Sequence, residues 1–181
     1  IESNVIFEGN CKLYNDVSIE PFVLINNSTI KANSQIKSFS SIEESQIGEN
    51  TFIGPQARIR PESSIGNNCQ IGNFVEVKES KLGDGCRVNH MAFIGDSEIE
   101  DNVTIGAGVI TCNHDGVRTN KTIIKKGAYI GSNVNLIAPI TINENAVVGS
   151  GSTVNEEVPA NKLTIARVRQ KVVDSWKGFK K

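Results

Sequence analysis

Residues 47–77 read IGENTFIGPQARIRPESSIGNNCQIGNFVEV. An aliphatic residue recurs at every sixth position of this run: Ile47, Ile53, Ile59, Ile65, Ile71 and Val77. A period of six fits neither the 3.6-residue period of a helix nor the alternation of a long strand. It indicates a short strand followed by a corner, with one aliphatic side chain pointing inward per unit and glycine or asparagine at the turn.

The same spacing extends in both directions along the chain. Further six-residue series are Val5, Cys11, Val17, Val23; Leu24, Ile30, Ile36, Ile42; Leu82, Val88, Ile94; Ile99, Ile105, Thr111; and Ile124, Ile130, Leu136, Ile142, Val148, Val154. Three such units would close one triangular coil, and stacked coils would bury the aliphatic columns between parallel strands. We therefore predict an all-β parallel solenoid. Chance alternation in a β-sandwich, the alternative, does not keep a spacing of six over most of a chain.

Interruptions of the repeat predict the domain organisation. We assign residues 1–158 to the solenoid, with an inserted loop at about 112–123, CNHDGVRTNKTI. Solenoid insertions project from one face and often carry function. Residues 159–181 are polar and basic, contain Trp176, and are predicted to form a partly helical C-terminal arm that covers the solenoid end or packs on a neighbouring subunit.

Composition excludes several classes of protein. The net charge of −1 creates no field that would favour nucleic acid, and no run of 18 apolar residues predicts a membrane span. The four cysteines, Cys11, Cys69, Cys86 and Cys112, form no C-x-x-C pair, which favours reduced thiols in a cytoplasmic protein. The chain starts at Ile1 without methionine, which indicates a piece of a longer protein.

Four strings go beyond the six-residue repeat: GPQARIRP at 54–61, GNFVEVK at 72–78, IGAGVITCNHDG at 105–116 and ARVRQ at 166–170. In order and spacing they resemble the C-terminal acetyltransferase domain of the bifunctional N-acetylglucosamine-1-phosphate uridyltransferase/glucosamine-1-phosphate N-acetyltransferase family, within the hexapeptide-repeat acyltransferases. The resemblance covers nearly the whole chain. It implies a left-handed coil, a homotrimer, acetyl-CoA as cosubstrate, no metal, and an N-terminal uridyltransferase domain in the full-length protein.

Two cations are candidates for binding the phosphate of an amino sugar phosphate. Arg60 and Lys78 are 18 residues apart, which is one coil of three six-residue units, so their side chains should lie nearly above one another. Arginine would contribute bidentate geometry and lysine a point charge. The alternative is that both are solvated surface charges.

The resemblance implies roles for residues that act in the acetyl transfer. His90 would be the general base that deprotonates the substrate ammonium, since neutral imidazole works near pH 7. Glu76 lies near the base and would orient its ring. Asn113 would orient the substrate, and the backbone N–H of Ala107 would stabilise the tetrahedral intermediate. Cofactor contacts, besides Ala107, would come from Ser132, Ser150 and Arg167.

Four positions of the substrate side depart from the family pattern. The family commonly has tyrosine at Phe93, asparagine at Thr104, tyrosine at His114 and lysine at Thr119. Phe93 therefore lacks a hydroxyl and Thr119 lacks a cation, which His114 and Arg118 would have to replace. These differences bear on the affinity for the sugar or on its identity.

The resemblance predicts transfer of acetyl from acetyl-CoA to the amine of glucosamine-1-phosphate, which gives N-acetylglucosamine-1-phosphate for UDP-N-acetylglucosamine and cell-envelope synthesis. Three alternatives remain open. The chain could acylate another amino sugar or nucleotide sugar, or it could be a non-catalytic trimeric scaffold. A γ-type carbonic anhydrase needs three histidine ligands for zinc, whereas this chain has only His90 and His114.

Overall fold

The structure, a computed structural model, describes residues 1–172. These residues form 26 short strands and no helix. The first thirteen are β1 (Ile6–Glu8), β2 (Lys12–Leu13), β3 (Ser18–Ile19), β4 (Leu24–Asn26), β5 (Thr29–Ile30), β6 (Gln35–Ile36), β7 (Ser41–Glu43), β8 (Gln46–Ile47), β9 (Phe52–Ile53), β10 (Arg58–Ile59), β11 (Ser64–Ile65), β12 (Gln70–Asn73) and β13 (Glu76–Lys78). The others are β14 (Lys81–Leu82), β15 (Arg87–His90), β16 (Phe93–Gly95), β17 (Ser97–Ile99), β18 (Thr104–Ile105), β19 (Ile110–Cys112), β20 (Thr122–Ile124), β21 (Tyr129–Ile130), β22 (Asn135–Ile137), β23 (Ile140–Ile142), β24 (Val147–Val148), β25 (Thr153–Val154) and β26 (Leu163–Thr164).

Every third strand joins the same parallel sheet, so the chain winds as a three-sided coil. Sheet A has the order β1-β4-β7-β10-β13-β16-β19-β22-β25, and sheet B the order β2-β5-β8-β11-β14-β17-β20-β23. Sheet C has the order β3-β6-β9-β12-β15-β18-β21-β24-β26. This all-strand solenoid of about nine turns matches a left-handed β-helix and confirms the predicted fold class.

Strand register follows the six-residue spacing. Arg58 pairs with Glu76 eighteen residues later, whereas Glu76 pairs with Phe93 after seventeen, because one corner is a residue shorter. Inward positions form columns of aliphatic side chains, and Ile59, Ile71 and Ile94 have no exposed surface. A single coil could not bury these side chains, so the stacking of coils provides the apolar burial that stabilises the fold.

Two buried cysteines take core positions. Cys69 and Cys86 are 1% exposed and lie on successive coils, where each thiol donates to a backbone carbonyl of the next coil at 3.1 Å. The pKa of the Cys86 thiol is raised, first by its hydrogen bond with Cys69 and then by burial. Their burial makes both cysteines small packing residues of the core.

The C-terminal arm has no helix over residues 159–172, where β26 pairs with β24 and extends sheet C. The rest of the predicted arm, including Trp176, lies outside the described residues.

Candidate active site

Two edges of sheet A carry the residues that the sequence predicted for the site. We call the turns that lead from sheet C into sheet A the C–A corner, and those from sheet A into sheet B the A–B corner. Each coil contributes one turn to each corner, so residues that are one coil apart lie above one another along it. Neighbouring strands are spaced about 4.8 Å apart, which sets the rise of each corner per coil.

The C–A corner holds His90, Ala107, Ser132 and Ser150 on four successive coils. The Gly108 N–H donates to the Met91 carbonyl at 3.0 Å, and the Asn133 N–H donates to the Ala107 carbonyl at 2.7 Å. The Ser132 N–H donates to Oγ of Ser150 at 3.1 Å. The predicted base and the predicted cofactor contacts thus form one column.

Arg167 extends this column towards the arm. Its Cδ lies 3.9 Å from the place where a Cβ on Gly151 would be, so the arm passes close to the turn that follows Ser150. Arg167 follows β26 at the same corner as His90 and Ala107, four coils from His90 along the stack. A long ligand with a charged end could therefore contact both.

Glycines flank Ala107, the residue whose backbone N–H was predicted to be the oxyanion donor. Gly108 has φ of +73°, which an L-residue adopts only at a cost, and a Cβ on Gly106 would lie 2.6 Å from the Ser132 nitrogen. The Ala107 N–H donates to no acceptor within residues 1–172. Small residues keep this backbone donor accessible beside His90.

His90 is exposed at the end of β15, and its ring contacts Asn73. Nδ1 of His90 lies 2.7 Å from Oδ1 of Asn73. The two residues also pair with each other in the parallel ladder of β12 and β15. Gly72 permits this approach, because a Cβ there would lie 1.8 Å from the Asn89 carbonyl oxygen. Asn73 was not predicted from the sequence, although its spacing of 17 from His90 equals one short coil.

The A–B corner carries the predicted phosphate ligands. Arg60 and Lys78 follow β10 and end β13 at adjacent levels, as the 18-residue spacing predicted, and their side chains are 34% and 22% exposed. The pKa of Lys78 is raised, chiefly by its hydrogen bond to Glu79 and further by the charge of Asp96. Lys78 is therefore a cation at neutral pH.

Asp96, the next residue up this corner, joins Lys78 to Asn113. Its Oδ2 lies 3.6 Å from Nζ of Lys78 and accepts a hydrogen bond from Nδ2 of Asn113 at 2.5 Å. The carboxylate is largely covered, with 12% of the side chain exposed. Asp96 thereby leaves Oδ1 of Asn113 available to a ligand, a role that the sequence analysis did not assign.

Glu76 has a different partner from the one that the sequence suggested. Its Oε1 accepts a hydrogen bond from Nη1 of Arg60 at 2.9 Å. Within residues 1–172 the side-chain contact of the His90 ring is Asn73 instead. Glu76 thus orients Arg60, a candidate residue for binding phosphate. The His90 ring is held by Asn73, which lies on the same sheet as His90.

The insertion between β19 and β20 forms a compact loop at the A–B corner. His114 and Thr119 pair across it in an antiparallel bridge, and Nδ1 of His114 accepts the Gly116 N–H at 3.1 Å. The pKa of Asp115 is depressed because its carboxylate accepts hydrogen bonds from the Arg118 N–H, Asn120 Nδ2 and the Val117 N–H. Arg118 also pairs with Asp115, so its cation partly stabilises the loop.

Phe93 and Thr104 lie on two different faces. Phe93 pairs with Glu76 on sheet A, and its ring covers Gly95 beside the Asn113 amide. Thr104 lies on sheet C between Arg87 and Tyr129. Phe93 therefore lies near the predicted substrate residues of the A–B corner, whereas Thr104 lies on sheet C, the sheet that carries His90.

Within one chain, the two corners lie at opposite ends of the strands of sheet A. His90, Ala107 and the serines are on one edge, and Arg60, Lys78 and Asn113 are on the other. Residues 1–172 contain no group of three or more His, Cys, Asp or Glu side chains placed to hold a metal ion. They also contain no helix long and apolar enough to cross a membrane.

Comparison with solved structures supports the fold. The LpxA UDP-N-acetylglucosamine acyltransferase of Bacteroides fragilis is 21% identical, with a TM-score of 0.65 and coverage of 90% of this chain and 70% of that chain. A mutant of the perosamine N-acetyltransferase of Caulobacter crescentus, solved with CoA and GDP-perosamine, is 20% identical, with a TM-score of 0.58. It covers 67% of this chain and 57% of that one.

Sequence comparison identifies the family. Bifunctional protein GlmU of Methylococcus capsulatus is 45% identical over 177 residues, which is 98% of this chain and 38% of that protein. GlmU of Methylobacillus flagellatus is 41% identical over 98% of this chain and 39% of its own length. The chain thus spans about two fifths of these relatives, and the similarity confirms the predicted resemblance. A family model described as the GMPPB C-terminal domain matches residues 47–177, and the chain belongs to that family.

Proposed function

We propose that this protein transfers acetyl from acetyl-CoA to the amine of glucosamine-1-phosphate, in a site formed between neighbouring copies of a homotrimer. The observation that carries the proposal is the column at the C–A corner, where a base, an available backbone donor and a cation follow one another. The similarity to GlmU supports the choice of donor and acceptor.

The column suits the chemistry of acetyl transfer. His90 would take a proton from the substrate ammonium, and the neutral amine would attack the thioester carbonyl. The Ala107 N–H would stabilise the oxyanion of the tetrahedral intermediate. The C–S bond then breaks as the amide forms, and the imidazolium returns its proton to the CoA thiolate, helped by the Ser132 hydroxyl. The regenerated imidazole takes the second proton from the amide nitrogen and passes it to solvent, so the products are the amide, the CoA thiol and one proton, and no metal or redox partner is needed.

Direct transfer to the amine also agrees with the state of Cys112, the cysteine nearest the inserted loop. Burial raises the pKa of this thiol, so it is protonated at neutral pH. A covalent acyl-cysteine route would need the thiolate.

The A–B corner would hold the phosphorylated sugar. Arg60 and Lys78 form a pair of cations on adjacent coils. Asp96, on the next coil, contacts Lys78 and accepts a hydrogen bond from Asn113, which lies one coil further along. Because these residues lie across sheet A from His90, a C–A corner of a second copy would complete the site. A cyclic trimer brings the two different edges of neighbouring subunits together at each of its three interfaces.

Exposed apolar side chains on the C–A corner support a second copy as its cover. Phe22, Phe39, Phe74 and Met91 are 53–63% exposed and occupy equivalent turns with positive φ. The rings of Phe22 and Phe39 stack with centroids 5.1 Å apart. Gln56 occupies the turn between Phe39 and Phe74, so the exposed apolar side chains form two neighbouring patches, which are typical of a protein interface.

A thiol-release assay with acetyl-CoA tests the proposed function. We expect glucosamine-1-phosphate to give the highest kcat/KM among glucosamine-1-phosphate, glucosamine-6-phosphate and UDP-linked amino sugars. Preference for either of the other acceptors would contradict the proposed substrate. Absence of both turnover and calorimetric acetyl-CoA binding would instead favour the non-catalytic scaffold.

Replacing Arg60 with alanine should raise KM for the phosphorylated sugar by about tenfold or more, with little change in kcat, because a hydrogen bond to a charged group is lost. Arg58→Ala is the matched control, since Arg58 begins β10 two residues before Arg60 and pairs with Glu43. Steady-state kinetics with varied sugar would decide. An equal effect of both variants would show that general surface charge, and not Arg60, binds the phosphate.

A further inference from the structure

The contact between Asn73 and His90 is built into the backbone of two coils. β12 and β15 pair in parallel with Asn73 opposite His90, and the Met91 N–H donates to the Asn73 carbonyl at 2.9 Å. The side chains then meet at 2.7 Å, from Oδ1 of Asn73 to Nδ1 of His90. Both residues line a cleft of about 450 Å³ together with Phe52, Pro55, Gln70 and Asn89.

We propose that Asn73 is a positioning residue that fixes the tautomer of His90. The amide oxygen can only accept a hydrogen bond, so Nδ1 must carry the proton and donate it. Nε2 then carries no proton, and its free lone pair can accept the proton that a general base must take. An imidazole in water favours the opposite tautomer, with the proton on Nε2, so a specific contact is required. The catalytic consequence rests on the proposed function, whereas the tautomer itself does not.

A neutral amide suits this position better than the carboxylate that the sequence suggested. Glu76 is engaged by Arg60 at 2.9 Å and lies on sheet A, so it is committed to the sugar-phosphate side. Asn73 orients the ring without placing a negative charge next to the bound thioester. Asn73 on sheet C thereby orients the His90 ring, while Glu76 on sheet A orients Arg60 for phosphate binding.

The tautomer can be measured directly, because the chain has only two histidines. Long-range ¹H–¹⁵N correlation spectra of ¹⁵N-labelled protein at alkaline pH distinguish a protonated from an unprotonated ring nitrogen. His114→Gln leaves a single set of signals for His90. We expect Nδ1 to be protonated and Nε2 to be unprotonated in the resting protein. A proton on Nε2 would overturn the proposal, since Asn73 would then donate through its amide nitrogen.

Three variants show whether Asn73 is the cause. Asn73→Ala should return His90 to the Nε2-protonated form, whereas Asn73→Asp, which keeps an acceptor, should preserve the proton on Nδ1. Asn89→Ala is the matched control, because Asn89 lines the same cleft and its side chain makes no hydrogen bond within residues 1–172. An unchanged tautomer in Asn73→Ala would overturn the assignment of Asn73.

Kinetics separate this inference from the proposed function. Asn73→Ala should lower kcat by about tenfold at nearly constant KM, and Asn73→Asp should recover most of the loss. Full kcat in Asn73→Ala, despite a changed tautomer, would remove the positioning role. Failure of the wild-type protein to acetylate any amino sugar phosphate would end the proposed function, while the spectra would still decide the tautomer.

Discussion

Replacing His90 with alanine should lower kcat for acetyl transfer by about 10²–10⁴-fold, the usual contribution of a general base. Without imidazole the ammonium group of the substrate has no positioned acceptor for its proton, and only the free-amine fraction can attack. The leaving thiolate also loses its proton donor. Initial rates of CoA release at saturating glucosamine-1-phosphate measure the effect.

The fold should tolerate this change. His90 is exposed at the end of β15, and the only side-chain partner of its ring within the described part of the chain is Asn73. Thermal unfolding should therefore shift little. His114→Ala is the control, because His114 accepts a hydrogen bond inside the loop and is given no proton-transfer role. Near-normal turnover of His90→Ala would remove the residue from the mechanism.

Asn113→Ala should reduce kcat/KM by about 10²-fold, because misorientation of reacting groups by even a small distance is costly. Asp96 holds Nδ2 of Asn113 and thereby leaves the amide oxygen available to a ligand. Loss of that oxygen leaves the substrate amine or thioester without an orienting partner. The same thiol-release assay, with the sugar and acetyl-CoA varied in turn, would measure the change.

Asn120→Ala distinguishes the amide of Asn113 from the shape of the loop. Asn120 lies in the same insertion and donates to Asp115, so its removal perturbs the loop but spares the contact with Asp96. We expect this variant to retain activity within severalfold of wild type. An equal loss in both variants would assign the effect to loop structure.

The fold could be predicted because the six-residue spacing constrains it strongly. Each strand points one residue inward, such as Ile59 or Ile71. Because the coils stack, every coil needs an apolar side chain at the same position. Aromatic residues at the turns were less predictable. Asparagine and glycine are the usual residues at positive φ, yet Phe22 and Phe39 adopt φ of 62° at the C–A corner. Contact with a second copy in the proposed trimer, and not local backbone preference, would give a reason for aromatic side chains there.

The candidate site could be predicted in part. Spacing placed Arg60 and Lys78 one coil apart, because stacking converts sequence distance directly into position. Spacing alone did not assign the partner of His90, since Glu76 and Asn73 both lie within a few residues of the right level. Side-chain direction decides between them: Asn73 lies on the sheet that carries His90, and Glu76 faces Arg60 across sheet A.

The central claim is that each site takes His90 from one copy and Asn113 from its neighbour. It can be tested by co-refolding equal amounts of His90→Ala and Asn113→Ala, both nearly inactive alone. Random assembly should restore about a quarter of the sites, because each then needs one intact residue from each of two chains. A mixture of His90→Ala with His90→Gln should stay inactive. If the first mixture is no more active than its parents while mixed trimers are present, the account of a shared site is contradicted.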